Sequence, residues 1–331
     1  MKELLYKMFE QKNLSREEAH NVLLNIADGK YNNEQLAAFM TVFMMRSITT
    51  DELIGFRDAI LDRQIKMDLP SEHAIDIVGT GGDGKNTFNI STATCFVVAG
   101  TGRKVIKHGN FGASSISGAS NVLQQMGAVF TTDIDKLKRS LDTCRMCYLH
   151  APFFSPALKS VAPIRKALAV RTFFNILGPL VNPVQPHYQL LGVYNLKLMR
   201  LYHYISQHEK INCTVVHSLD GYDEISLTSP FKIASTEGEH LYLPQDIGFS
   251  TSEQESLSGG ASVEDAAKIF SNVLNNKATN PQRDCVLANA AFAINTLDSS
   301  ISIPEAIAQA KESIESGRAL EAFKKFIAVN S

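Results

Sequence analysis

Charge of one sign is what this sequence most lacks. Its 331 residues carry 32 Lys and Arg against 34 Asp and Glu, a formal net charge of −2. A partner that selects a strongly basic surface, such as nucleic acid or an anionic membrane, is not favoured. No apolar run is long enough to span a bilayer, and the opening MKELLYKMFEQ is charged and amphipathic, which fits neither a signal peptide nor a membrane span. Cysteine is scarce: Cys95, Cys144, Cys147, Cys213 and Cys285. The odd number without a secretion signal points to reduced thiols and a cytoplasmic location. Cys144-Arg-Met-Cys147 has the spacing of a redox or zinc pair, but no second Cys or His pair completes a zinc site, so buried structural thiols are expected. Internal repeats and low-complexity tracts are also missing.

What is present changes character along the chain. The first 65 or so residues read as helices only. Ser15 with Glu18 and Thr49 with Glu52 form capping boxes, and Asn32 can cap a third helix. Apolar residues recur at helical spacing, as in Val22, Leu23, Ile26 and Leu36, Phe39, Met40, Phe43. The large apolar faces around Phe43, Met44 and Met45 suit internal packing or a subunit interface.

From residue 74, short apolar runs (AIDIV, KVIKH, AVF, MCYLH, LLGVY, CTVVHS) alternate with helix-like stretches such as Thr92 to Ala99 and Gly118 to Met126. Such alternation predicts an α/β domain with a mostly parallel sheet. Lys159 to Asn182 breaks it, reading as a helix followed by FFNILGPLVNP. That segment could pack back on the first helices. The expected organisation is a small all-helical domain at 1–66, joined by about 158–184, and a large α/β domain made of 70–157 and 185–331. Further helices are expected from Ser262, from Asn280-Pro281 and near Pro304, with Gly317 as a stop.

The stretch DIVGTGGDGKNTFNIST, Asp76 to Thr92, carries the chemistry. Glycine loses more conformational freedom on folding than any other residue, so Gly79, Gly81, Gly82 and Gly84 need a reason. Directly after a strand, they let backbone N–H groups turn inward around an anion, and a helix starting near Ser91 adds partial positive charge. Asn89, Ser91 and Thr92 supply polar groups there, and phosphate or pyrophosphate is the natural ligand. Two standard patterns come close. Gly79, Gly84 and Lys85 have P-loop spacing, but Asn86 stands where the hydroxyl belongs. Gly79, Gly81 and Gly84 match G-x-G-x-x-G, yet the next strand ends in Lys107 and His108, where a dinucleotide fold wants an acid. A second polar glycine loop, KHGNFGASSISGAS from Lys107 to Ser120, follows that strand. Two such loops at adjacent strand ends suit a ligand with two separated phosphates, with Lys107 as a cation and Ser114 and Ser115 as hydroxyls.

These motifs, with VAPIRKALAVRTFFNILGPLVNP, the GYDE turn and the C-terminal NAAFAI, resemble the anthranilate phosphoribosyltransferase family over nearly the whole chain. The resemblance implies transfer of a phosphoribosyl group from phosphoribosyl pyrophosphate to anthranilate in tryptophan biosynthesis. It also implies a small helical domain, a large α/β domain, a magnesium cofactor, and a homodimer through the helical domains. By the same resemblance, Gly79, Gly82, Asp83, Thr87, Asn89, Ile90, Ser91 and Thr92 match the first phosphoribosyl pyrophosphate loop. Lys107, His108, Gly109, Asn110, Phe111, Gly112, Ala113, Ser114, Ser115 and Ala119 match the second. Ser91, Asp223 and Glu224 match magnesium positions, and Gly79, Asn110 and Arg165 match anthranilate contacts. Two departures stand out: Phe111 occupies a place where the family commonly has Arg, and Ser155 one where it often has His.

The residues fit that chemistry. Substitution at an anomeric carbon passes through an oxocarbenium-like state, so the departing pyrophosphate must be stabilised, and magnesium held by few protein groups does this. Asp223 and Glu224 could ligate it, or be a solvated acidic turn. Arg165 can grip a carboxylate with two parallel hydrogen bonds, or be a surface Arg of the basic run IRKAL. The aniline nitrogen is uncharged at neutral pH, so no acid or base is assigned; the neighbours of His108, the tempting base, suggest backbone placement in the loop or a contact with the aromatic acceptor instead. A pyrimidine nucleoside phosphorylase of similar fold and a non-catalytic nucleic-acid-binding relative are the rival readings.

Overall fold

The computed structural model describes every residue except Ala113, Ser114 and Lys159. Four helices come first: α1 (Lys2–Phe9), α2 (Arg16–Ala27), α3 (Asn33–Met45) and α4 (Thr50–Arg63). An alternating stretch follows: β1 (Ala74–Gly79), α5 (Ile90–Gly100), β2 (Lys104–Gly109), α6 (Ala119–Gln125), α7 (Ile134–Cys144) and β3 (Met146–His150). Short helices α8 (Ala151–Phe154) and α9 (Ala162–Leu168) precede 3₁₀ turns at Phe173–Ile176 and Gly178–Leu180. Then come β4 (Tyr188–Gly192), α10 (Leu196–His208), β5 (Asn212–Ser218), β6 (Phe231–Ser235) and β7 (Gly238–Tyr242). The chain closes with α11 (Val263–Leu274), α12 (Asn280–Leu297), α13 (Ile303–Glu315) and α14 (Arg318–Asn330). It divides into two compact units, one made of Met1–Met67 and Ala151–Pro183, the other of Asp68–His150 and Val184–Ser331.

The first unit is helical. Its helices start where side chains satisfy the first free N–H groups: Ser15 with Glu18, Asn32 with Gln35 and Thr49 with Glu52 form complete capping boxes. Its centre is aromatic. Phe56 stacks on Phe173 at 4.6 Å between ring centroids, and Phe39 and Phe43 meet both edge-on or tilted. Such pairs contribute about 0.5–1.5 kcal/mol each beyond burial. The same unit holds one fully buried acid, Glu52, which accepts hydrogen bonds from Arg46 at 2.6 Å and from the Leu14 and Thr49 amides at 2.9 Å each.

The second unit is α/β. Its seven strands lie in the order β3-β2-β1-β4-β5-β6-β7, parallel from β3 to β5 and antiparallel at β6 and β7. Strand order reverses its direction of growth between β1 and β4, and such a switch point opens a crevice at the carboxyl ends of the strands. Helix α5, apolar over most of its length, and residues 285–294 of α12 are buried against the sheet, with α11, α13 and α14 also touching α5. Phe96 of α5 packs edge-on against Phe270, Phe323 and Phe326.

The expected strand AVF, Ala128 to Phe130, is not a strand. Its amides are spent elsewhere: Ala128 N–H donates to the Leu123 carbonyl and Val129 N–H to the Asn330 carbonyl, so the segment docks on the end of α14. The β6–β7 hairpin was not expected from sequence: β7 is largely exposed and its five residues, GEHLY, are without an apolar face. All five cysteines are buried free thiols, and burial pushes the Cys144 and Cys147 thiols up. No helix among the described residues is long and apolar enough to cross a membrane.

Candidate active site

The first glycine loop leaves β1 at the switch point. Gly81, Gly82 and Gly84 hold φ of 64°, 72° and 79°, the left-handed region that side chains disfavour. The turn is pinned from behind. Thr80 N–H bonds the Gly192 carbonyl at 2.9 Å, Phe88 N–H the Leu257 carbonyl at 3.1 Å, and Gly259 N–H the Asn86 carbonyl at 2.7 Å. Lys85, the P-loop-like lysine, bonds Gln254 Oε1 at 3.1 Å and lies 4.6 Å from the Tyr222 ring centroid. Helix α5 opens at Ile90, whose amide bonds the Phe88 carbonyl. Thr92 is buried in its first turn.

The second loop leaves β2. Lys107 is 1% exposed, and its ammonium donates to the Ile77 carbonyl at 2.5 Å and to Ser91 Oγ at 3.4 Å. The cation therefore sits beneath the first loop. His108 is buried, its amide donating to Asp76 at 3.3 Å. Asn110 is exposed, its Oδ1 accepting from the Phe111 amide at 2.7 Å. Asn121 Oδ1 closes the neck of the loop by accepting from the Gly112 and Gly118 amides at 2.9 and 3.0 Å. Asn89 ties the two loops together, Nδ2 donating to the Ser117 carbonyl at 3.0 Å. Phe111, 41% exposed, rests edge-on against His150 with centroids 4.9 Å apart. Ser115 is exposed and Ala119 begins α6. Ala113 and Ser114 lie outside the described residues.

The acidic turn after β5 lies against these loops. Asp223 Oδ2 accepts from the Gly81 amide at 2.6 Å, and Glu224 Oε1 from the Ser91 amide at 2.9 Å. Its backbone crosses the ends of β1 and β4, where Gly79 pairs with Gly192. A Cβ on Gly79 would stand 2.3 Å from Asp223 Oδ2, and one on Gly192 only 1.6 Å from the Asp223 carbonyl oxygen. Burial first, then the charge of Asp83, push the Asp223 carboxyl up to about 7. Burial and Asp223 likewise raise Glu224. Acids that crowd one another under burial, facing backbone N–H groups, form a place a divalent cation would relieve. Among the described residues no three His, Cys, Asp or Glu side chains form a complete metal cage. A hard cation such as magnesium needs only one or two carboxylates, since phosphate oxygens and water complete its shell.

The second unit thus gathers both glycine loops with Asp83, Asp223 and Glu224. Arg165 belongs to the first unit, in α9, half-buried with its guanidinium 5.7 Å from the Phe174 ring centroid. Ser155, also in the first unit, is buried and accepts from Gln64 Nε2 at 2.8 Å. Gly192, Asn121 and Ser117 were missed from sequence. Gly192 sits inside an apolar strand run, and the other two act through contacts that local spacing does not reveal.

Backbone amides arranged for anions and carboxylates arranged for a cation are the equipment of an enzyme that transfers a phosphorylated sugar. Residues 71–320 match the Glycosyl transferase family, a/b domain, and residues 2–63 the Glycosyl transferase family, helical bundle domain. The chain belongs to the anthranilate phosphoribosyltransferases. It is 60% identical to the anthranilate phosphoribosyltransferase of Bacteroides thetaiotaomicron over all of both chains, and 52% identical to that of Flavobacterium johnsoniae over 98% of each. Among solved structures, the anthranilate phosphoribosyltransferase of Thermus thermophilus aligns with a TM-score of 0.89 at 28% identity, covering 98% of each chain. The Saccharomyces cerevisiae enzyme in complex with PRPP and Mg aligns at 0.91 and 28%, covering 98% of this chain and 96% of that one.

Proposed function

We propose that this chain transfers the phosphoribosyl group of 5-phosphoribosyl 1-pyrophosphate to the amine of anthranilate, giving N-(5-phosphoribosyl)anthranilate and pyrophosphate in tryptophan biosynthesis. The observation that carries the reading is the meeting of two glycine loops and an acidic turn at one switch point, each loop hydrogen-bonded to the acids or to the other loop.

The first loop, through Gly79, Gly82, Asp83, Thr87, Asn89, Ile90, Ser91 and Thr92, holds one phosphate group of the donor. The second, through residues 107–115 and Ala119, holds the other. Lys107 contributes its charge from beneath the first loop, where low exposure leaves it weakly screened. Asp223 and Glu224, with the Ser91 hydroxyl, would hold magnesium, which when bound offsets the charge developing on the leaving pyrophosphate. Arg165 binds the anthranilate carboxylate with two parallel hydrogen bonds, and Asn110 and Gly79 help seat the ring. The neutral aniline nitrogen needs orientation more than deprotonation, so positioning and leaving-group stabilisation supply the rate. Exposed apolar side chains of the helical unit, among them Tyr6, Phe9, Met44 and Met45, support a homodimer through that unit, and five free thiols support a cytoplasmic location.

The test is a fluorescence assay of anthranilate consumption. Loss of signal that requires both phosphoribosyl pyrophosphate and magnesium supports the reading. No consumption, together with phosphorolysis of thymidine or uridine, would replace it with a nucleoside phosphorylase.

A further inference from the structure

The NAAFAI stretch near the C-terminus has no part in the chemistry above, yet its first residue reaches the acidic turn. Asn289 lies on α12, 3% exposed. Its Oδ1 accepts from the Ile225 amide at 3.1 Å, and its Nδ2 donates to the Ile225 carbonyl at 2.8 Å and to the Cys285 carbonyl at 2.9 Å. A primary amide has one acceptor oxygen and two donor hydrogens, and here all of them are spent. Ser218, fully buried at the end of β5, completes the grip: its hydroxyl donates to the Glu224 carbonyl at 2.7 Å and accepts from the Ser226 amide at 3.1 Å. The two peptide groups flanking Ile225 are thereby held at all four polar ends by two side chains. Secondary structure does not do this work, since the turn lies between β5 and β6.

One of those peptide groups joins Glu224 to Ile225, so its orientation sets where the Glu224 side chain departs from the backbone. We infer that Asn289 is a positioning residue for the acidic pair: it fixes the backbone of Glu224 so that the carboxylate meets the Ser91 amide and the cation. The inference rests on the proposed role of Asp223 and Glu224 in holding magnesium. Groups that orient a metal ligand typically shift metal affinity by about 10–100-fold when removed. Cys285 adds only a thiol donor to the Ile225 carbonyl at 3.1 Å and is the weaker partner.

Calorimetric titration of phosphoribosyl pyrophosphate into the whole protein, with and without magnesium, reads this without turnover. The quantity is the gain in affinity that magnesium confers. Asn289→Ala should cut that gain at least about tenfold while the KM for anthranilate stays within about twofold of the parent's, since no anthranilate contact is touched. Asn289→Asp should be as severe, because it sets an acceptor against the Ile225 carbonyl. If neither variant folds by circular dichroism, Ser218→Ala, which releases the Glu224 carbonyl from the other side, carries the same prediction. A folded variant with the parent's full magnesium gain overturns the inference. A parent that shows no gain, by contrast, overturns the magnesium reading beneath it, so the two failures fall on different proteins.

Discussion

The Asp223 carboxylate accepts the Gly81 amide at 2.6 Å, across 142 positions of sequence. This bond joins the acidic turn to the first glycine loop, and it forms only because the turn lies directly on the ends of β1 and β4. Glycine at 79 and 192 is what permits that approach.

Gly192→Ala is therefore expected to displace the Asp223 backbone. A new Cβ 1.6 Å from the Asp223 carbonyl oxygen must move either β4 or the turn. The cost should be at least the ~1–3 kcal/mol typical of an overpacked core, with a fall in turnover beyond what lost stability explains. Urea unfolding and initial rates on the folded fraction check both. A variant with parent stability and rate would contradict the packing described.

Glu52 gives the helical unit an acid-sensitive centre. Burial alone would push its carboxyl up, but the Arg46 guanidinium and the Leu14 and Thr49 amides outweigh it and hold it below the usual 4.5. A group lowered in the folded state binds fewer protons there than when unfolded. Its stabilisation is complete above the unfolded value and is lost as pH falls through the folded one. Glu52→Ala, which strands Arg46, should cost about 3–5 kcal/mol at neutral pH. It should also flatten the acid limb of the stability curve below pH 4.5. Melts of parent and variant across that limb decide the matter; parallel curves would remove Glu52 from this role.

Arg165→Ala should raise the KM for anthranilate far more than that for phosphoribosyl pyrophosphate. Loss of a charged hydrogen-bond partner predicts about 1.5–3 kcal/mol, or roughly 10–100-fold. Steady-state kinetics with each substrate varied in turn measures the split, and equal changes in the two constants would undo the assignment.

Much of the α/β unit could be read from the chain because its parallel strands are short apolar runs, as in AIDIV, MCYLH and CTVVHS. Reading failed where tertiary contacts set the outcome. Ala128 to Phe130 looks like a strand but spends its amides on α6 and α14, and β7 is held by its pairing with β6, with Tyr242 stacked on Phe231 and Glu239 paired with Lys232, rather than by an apolar pattern of its own. The glycine loops were legible because their residues are contiguous. The burial of Lys107 beneath the first loop, the fit of Gly192 under Asp223 and the grip of Asn289 on Ile225 were not. Each depends on a partner brought in by a different element, and a single sequence carries no local mark of such a meeting.

The account stands on the acidic turn working with the two glycine loops on a magnesium-borne diphosphate. Its most direct test is the turnover of the Asp223→Asn, Glu224→Gln double variant across a magnesium titration, beside the parent. The expected result is a folded protein whose rate is lower by roughly a hundredfold or more at limiting magnesium and only partly restored at high concentration. Parent-like turnover at limiting magnesium would contradict the account.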